Sequence, residues 1–296
     1  MSALSDSGIE EDLHASPAET SRLTSELQEC DYEESCFIIQ RHNEVHFLAL
    51  DCLARQPQIT AEARSKLVSW LIAVHRQLKL SFESCCLAVN IMDRFLITTS
   101  VAADCFQLLG VTSLLIATKQ VEVYSPLITQ LLSLCCNSFT REQLCNLECL
   151  ILLRLNFRLA APTLAFFLEY FTRHPTGYQT EGATDKMVAT QDRNVWKEPE
   201  KWLACKVCEL SLADYTFNKY MPSVIVLCAM KVAKDLLKTH SAQPTDSYAG
   251  SSQTLESFCF QEYPAFEAEL LFQQCTEDLK LLVALNQDIV QDFITP

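Results

Sequence analysis

The stretch ADCFQLLGVTSLLIATKQVEV, residues 103–123, decides the fold. Apolar side chains occupy most positions around its helical wheel, so a helix here has no broad polar face to turn to water. Such a helix must be surrounded by others, and it is the expected hub of a bundle. Its uncharged run, between Asp104 and Lys119, is shorter than the ~18 residues of a membrane span. It also carries Gln107, Thr112 and Ser113, which marks a buried core helix.

Helical patterns extend outward on both sides. Upstream, Leu67, Trp70, Leu71, Val74 and Leu78 recur at helix spacing behind Thr60 and Glu62, which suit a helix start. Ser81 can cap a second helix that runs to Ile97. Downstream, short helices are expected over 126–136 and 140–155, the latter opened by the capping box Thr140-Arg-Glu-Gln143. After a joint near Ala160-Ala161, Pro162 suits the first turn of a helix to Arg173, and patterns resume at 200–213, 222–239 and 266–285. A short amphipathic helix is expected over 31–48, followed by an extended link at Gln56-Pro57. The expected fold class is all-α: five helices, a joint, then about five more. The organisation is a disordered acidic tail over 1–29, an N-terminal helix and linker over 30–58, a first bundle over 59–160 and a second over 161–296. Polar loops are expected at 175–199 and 241–264, and Ser16-Pro17 is a minimal proline-directed phosphorylation dipeptide in the tail.

Composition agrees with helices. Only five glycines occur (Gly8, Gly110, Gly177, Gly182, Gly250), too few for a sandwich, a barrel or a glycine-rich phosphate loop. Hydrophobic residues make up 49% of the chain, enough for one or two packed cores. The formal net charge is −14, and residues 1–40 hold ten acidic side chains against one basic, Arg22. An acidic chain repels phosphate backbones and anionic lipid, which excludes nucleic acid and membranes as main partners. Fifteen cysteines would suit a secreted disulfide framework, but residues 1–34 are acidic and hold no apolar signal. Cysteines also fall in apolar helical patterns, as Cys85-Cys86 and Cys135-Cys136 do. The expectation is reduced, buried thiols without structural disulfides, in the cytoplasm, the nucleus or both.

No constellation assembles an enzyme site. G-x-S-x-G, Walker and H-E-x-x-H motifs do not occur. Cys205-Lys-Val-Cys208 has zinc-like spacing without a second pair, and His42 and His46, one helical turn apart, lack a third ligand. No metal and no cofactor are expected.

Six ordered segments resemble the cyclin family: ARSKLVSWL (63–71), LAVNIMDRFL (87–96), LLGVTSLLIATKQVEVYSP (108–126), LNFRLAAPT (155–163), ELSLADY (209–215) and KYMPSVI (219–225). The resemblance runs over roughly residues 31–285. Across LARQPQITAEARSKLVSWL and SVAADCFQLLGVTSLLIATKQVEV it narrows to one branch of the family, with a role in the cell-cycle machinery or in its reuse in centriole amplification and multiciliated-cell differentiation. It implies two tandem five-helix cyclin-box bundles and a protein without catalysis of its own. Such a protein binds a cyclin-dependent kinase catalytic subunit as a heterodimer and holds its regulatory helix and activation segment in the productive arrangement. A small-molecule substrate is not implied; substrates of the kinase are. Rival readings are a kinase-independent scaffold or transcription-factor-like adaptor on the same fold, and an unrecognised enzyme.

The resemblance also implies residue roles. Lys119 and Glu148 match the charged fork that grips kinase backbone, and Ile116, Leu152, Phe157 and Leu159 match the apolar pocket for the kinase helix. The family's phenylalanine after the fork lysine is replaced by Gln120, which alters that pocket. Arg64 and Asp93 match a buried structural ion pair between the first two helices. Leu67, Trp70 and Gln107 match a groove that docks Arg-x-Leu substrate motifs, but Ala63, Lys66 and Ala73 stand where the family has a methionine, an isoleucine and a glutamate. Those departures remove apolar contact and a charge partner, and so weaken docking.

Overall fold

The expected helices form in the computed structural model, which describes residues 32–174, 196–240 and 265–287. They are α1 (Tyr32–Phe47), α2 (Ala61–Gln77), α3 (Phe82–Thr98), α4 (Phe106–Val121), α5 (Ile128–Leu134), α6 (Arg141–Arg154), α7 (Leu164–Arg173), α8 (Glu198–Ala213), α9 (Pro222–His240) and α10 (Ala265–Leu285). No strand occurs among the described residues. The tail expected over 1–29, with Ser16-Pro17, lies outside the described residues, as do 175–195 and 241–264 of the two polar loops. The chain divides into two compact units, Met1–Ile39 and Gln40–Pro296, with the boundary inside α1. The described part of the first unit is the opening of α1, with Glu33 and Glu34 in its first turn.

In the second unit, α2, α3 and α6 gather around α4, whose residues from Leu108 to Thr118 are all buried, and α5 packs on α6. The hub expected from the sequence is in place. Gly110 gives α2 its close approach: a Cβ there would lie 3.0 Å from Cδ1 of Leu67. The second half packs α7, α8 and α10 against α9, which makes four described helices where about five are expected.

Hydroxyl side chains start these helices as their positions foretell. Thr60 accepts from the Ala63 amide, Ser81 from Ser84, and Thr140 shares a reciprocal capping box with Gln143. Four local expectations need correction. The first residues of the apolar stretch, Ala103–Cys105, wind as a 3-10 turn, and the α-helix starts at Phe106. Pro162 is not in a first turn: Thr163 is the cap of α7, accepting from the Phe166 amide, and proline holds the chain extended before it. The loop expected to reach residue 199 ends earlier, because α8 begins at Glu198 with proline in its opening turn. Of the Cys135-Cys136 pair only Cys135 is buried; Cys136 is exposed in a left-handed turn at φ 53°.

That turn belongs to a pattern. Helices α2, α5 and α6 all end with an amide reaching back five residues: Leu80 to the His75 carbonyl, Asn137 to Leu132 and Phe157 to Leu152. Such endings need a left-handed residue, usually glycine. In this glycine-poor chain Lys79, Cys136, Asn137, Asn156 and Phe157 take positive φ instead. Each non-glycine there carries strain of ~1 kcal/mol. Lys79→Gly should therefore raise stability by about 1 kcal/mol, read as a higher midpoint in urea unfolding.

A polar seam joins the two halves. The Arg64 guanidinium, 1% exposed, meets both Asp93 oxygens at 2.9 and 2.6 Å. It also donates to the Leu212 and Ala213 carbonyls at the end of α8, 3.3 and 3.5 Å away. Asn218 closes the network, accepting from Arg64 at 3.2 Å and donating to Asp93 at 3.1 Å. The pair thus ties α2 to α3, where the family resemblance puts it, and anchors the second half as well. Further along the seam, Glu209 meets Arg76 and Lys206, and the Thr163 hydroxyl donates to Glu83. Asp93→Ala strands a buried guanidinium and should cost about 3–5 kcal/mol; a thermal melt will show it as lost folding.

Glu44 holds the seam from α1. Its carboxylate accepts from the Ser223 amide at 2.6 Å and hydroxyl at 2.8 Å, in the opening turn of α9, and pairs with Arg41 at 3.1 Å. Burial pushes its pKa up from 4.5 to about 7, against the pull of Arg41 and the Ser223 donors. The folded state therefore holds a proton there that the unfolded chain releases between about pH 4.5 and 7. Its stability contribution is complete below that window and is lost as pH rises through 7. Comparing wild type with Glu44→Gln in denaturant at pH 5.5 and 8 should show the wild type alone losing on the order of 2 kcal/mol at the higher pH.

Candidate protein-docking face

Helix α4 leaves the core at its last turn. Ala117 and Thr118 are buried, and Lys119 and Gln120 are exposed. Lys119 suits the negative end of the helix. Opposite stands α6, whose buried residues Leu144 and Ile151 bracket Glu148 at one turn on either side. This register leans the Glu148 carboxylate toward α4, and Lys119 Nζ meets its Oε1 at 2.6 Å. Lys119 is 49% exposed and Glu148 14%. A pair so open to solvent on one side adds ~0–1 kcal/mol to stability. Its acid, however, is mostly withdrawn from water and directed at a surface.

That surface is apolar. Because α4 stops at Val121, VYSPL (123–127) runs as a link with no helix to bury it. Val123 and Tyr124 are each 88% exposed, and Leu127 is open too. Leu150 and Leu153 are exposed on α6, on the side of the helix turned away from Glu148, whereas half-buried Leu152 lies one turn after Glu148 on its own side. Phe157 is 65% exposed, held at φ 56° directly after Asn156 at φ 50°. A bulky residue in the left-handed region is uncommon, and here the strained turn holds an aromatic ring in water. Exposed apolar surface of this kind beside a charged pair marks a protein contact.

Of the four apolar pocket residues the sequence points to, Phe157 lies open. Leu152 and Leu159 are half-buried against the core, and Ile116 is inside it. Val123, Tyr124, Leu127, Leu150 and Leu153 were not singled out by sequence; the legible signal was an apolar link next to a helix stop. In the Arg-x-Leu groove, Leu67 is buried against Gly110, while Trp70 and Gln107 are half-exposed. Lys66 turns outward to Glu62 at 2.6 Å, and Ala73 is exposed.

The remaining chemistry-bearing groups are spread out. Cys208 is buried and Cys205 half-buried, and burial pushes the Cys205 thiol up to about 11. Cys85 is likewise pushed up to about 12 by burial. Such thiols are poor nucleophiles and ligands at neutral pH. Among the described residues the cysteines are free, and no group of three His, Cys, Asp or Glu side chains could hold a metal. Among the same residues no helix is long and apolar enough to cross a membrane.

The family model described as cyclin, N-terminal domain, matches residues 35–160, and that described as cyclin, C-terminal domain, matches 162–263. Cyclin-O of Homo sapiens is 48% identical over 256 residues, covering 86% of this chain and 65% of that protein. Cyclin-O protein B of Xenopus laevis is 47% identical over 261 residues, covering 87% and 64%. Cyclin-A2 of Xenopus laevis is 33% identical over 208 residues, covering 69% and 45%. The chain thus spans slightly under two thirds of the length of its Cyclin-O relatives, the branch to which the sequence narrows. Among solved structures, a viral cyclin from herpesvirus saimiri superposes with a TM-score of 0.58 at 17% identity, over 83% of this chain and 99% of that one. A chain of the CAK complex from Chaetomium thermophilum reaches 0.50 at 16% identity, over 95% and 81%. At such low identity both speak for the fold alone.

Proposed function

The chain belongs to the cyclin family, and from that premise we propose that it is a non-catalytic regulatory subunit that docks a cyclin-dependent kinase on the face around Lys119 and Glu148. The observation that carries this reading is an ion pair with little structural value set among exposed apolar side chains. The partner is a helix. Its apolar face takes Phe157 and the half-buried Leu152 and Leu159, while its terminal backbone groups meet the fork. Lys119 serves carbonyls, and Glu148 serves amides. Activation follows from differential affinity: the face binds the kinase's regulatory helix better in the productive position than in the retracted one, so binding shifts the population toward the active state. The chemistry stays in the kinase. By likeness to Cyclin-O, the complex serves centriole amplification and multiciliated-cell differentiation, within the cytoplasm or nucleus, where the thiols stay reduced.

Glu148→Ala removes the withdrawn member of the fork. It should cut the amount of kinase recovered with the tagged protein from cell extract, and the associated phosphotransfer rate, by at least ~30-fold, at unchanged helical circular dichroism. Phe157→Ala should act in the same direction. Equal kinase recovery with a folded Glu148→Ala protein would refute the assignment.

A further inference from the structure

Next to Phe157 the same turn presents a second, chemically different feature. The guanidinium of Arg158 lies 5.4 Å from the centre of the Phe47 ring, and that of Arg94, from α3, lies 4.7 Å from the same ring. Two like charges therefore share one aromatic platform. Arg94 is half-buried and donates to the Arg158 carbonyl at 2.8 Å and to Asn90 Oδ1 at 3.5 Å. Among the described residues no carboxylate pairs with either arginine, and the Arg158 guanidinium has no hydrogen-bond acceptor. Arginine carries five donors, so most of this pair's hydrogen-bonding capacity is unspent. Burial pushes the Arg94 pKa down to about 10, and Arg158 adds to the effect. Keeping two cations together, one of them half-buried, is unfavourable unless an anion completes the arrangement. In a chain of net charge −14 this is an uncompensated positive spot.

We propose that Arg94 and Arg158 together bind a phosphorylated serine or threonine on the docked partner polypeptide. Contact with the Phe47 ring brings the two guanidinium groups to one place, and a dianion with three acceptor oxygens can take bonds from both, which one carboxylate does less fully. The spot adjoins Phe157, so a partner seated on the apolar face has its neighbouring segment within reach. The inference rests on the docking reading for the identity of the partner, but not for the anion site itself.

The test is a fluorescence-anisotropy titration of the folded full chain with a labelled nine-residue peptide that carries one phosphothreonine among uncharged residues. Saturable binding should appear, weaken at least tenfold without the phosphate, and weaken with added salt. Arg158→Glu, an exposed change that gives Arg94 an internal counterion, should reduce binding at least tenfold while the thermal melt stays intact. Arg94→Lys keeps the charge but loses the fork, and should also weaken binding. Equal affinity for phosphorylated and unphosphorylated peptide would overturn the proposal, as would unchanged binding by a folded Arg158→Glu protein. Displacement by inorganic phosphate at the same concentration as the peptide would reduce the spot to a general anion site and overturn it too. Glu148→Ala should leave this titration unaltered even as kinase recovery falls, so a failure of the docking reading is distinguishable from a failure here.

Discussion

The rest of the structure depends on one buried ion pair. Arg64 and Asp93 are almost fully withdrawn from water, where a polar group is costly unless its hydrogen bonds are spent. Two bonds are spent between them and the others on Leu212, Ala213 and Asn218. A contact between α2 and α3 thereby also anchors the second half. Apolar packing supplies the bulk of the stability in each half, but packing is non-directional. The polar seam is directional, and it fastens the end of α8 and Asn218 onto α2 and α3.

Against that seam, the proposed docking face is assembled from segments that gain little from the fold. The fork is half in solvent, the 123–127 link is uncovered, and Asn156 and Phe157 sit in strained backbone. Local strain and exposed apolar surface persist when a rigid scaffold holds them, and they collect where a protein meets a partner. Arg94 and Arg158 fit the same pattern: the fold holds two like charges on one aromatic ring, and no carboxylate pairs with them among the described residues.

What could be read from the sequence followed a physical division. Periodicity and capping are local, so the buried hub at 106–121 and the starts at Thr60, Ser81 and Thr140 were legible from neighbouring residues. The fork was legible only through family resemblance, since nothing local connects Lys119 with Glu148, 29 positions away. The grip of Glu44 on Ser223 spans 179 positions and left no trace in any window of sequence. Nor did the left-handed Phe157, because glycine is the residue that normally announces such a turn. Ile116 shows the reverse limit: an apolar residue in an apolar helix reads equally as pocket or core, and it lies in the core.

Synthesis on the ribosome gives the seam a temporal side. Arg64 and its acceptor at Leu212 are 148 positions apart. Translation proceeds at ~5–20 residues per second, so the first bundle exists for roughly ten seconds or more before its partner carbonyls are made. During that interval the guanidinium has only Asp93 to satisfy it, and the apolar flank destined for the second half is uncovered. The nascent first bundle is thus a natural client for chaperones, and slow translation past the joint at Ala161 would lengthen its dependence on them.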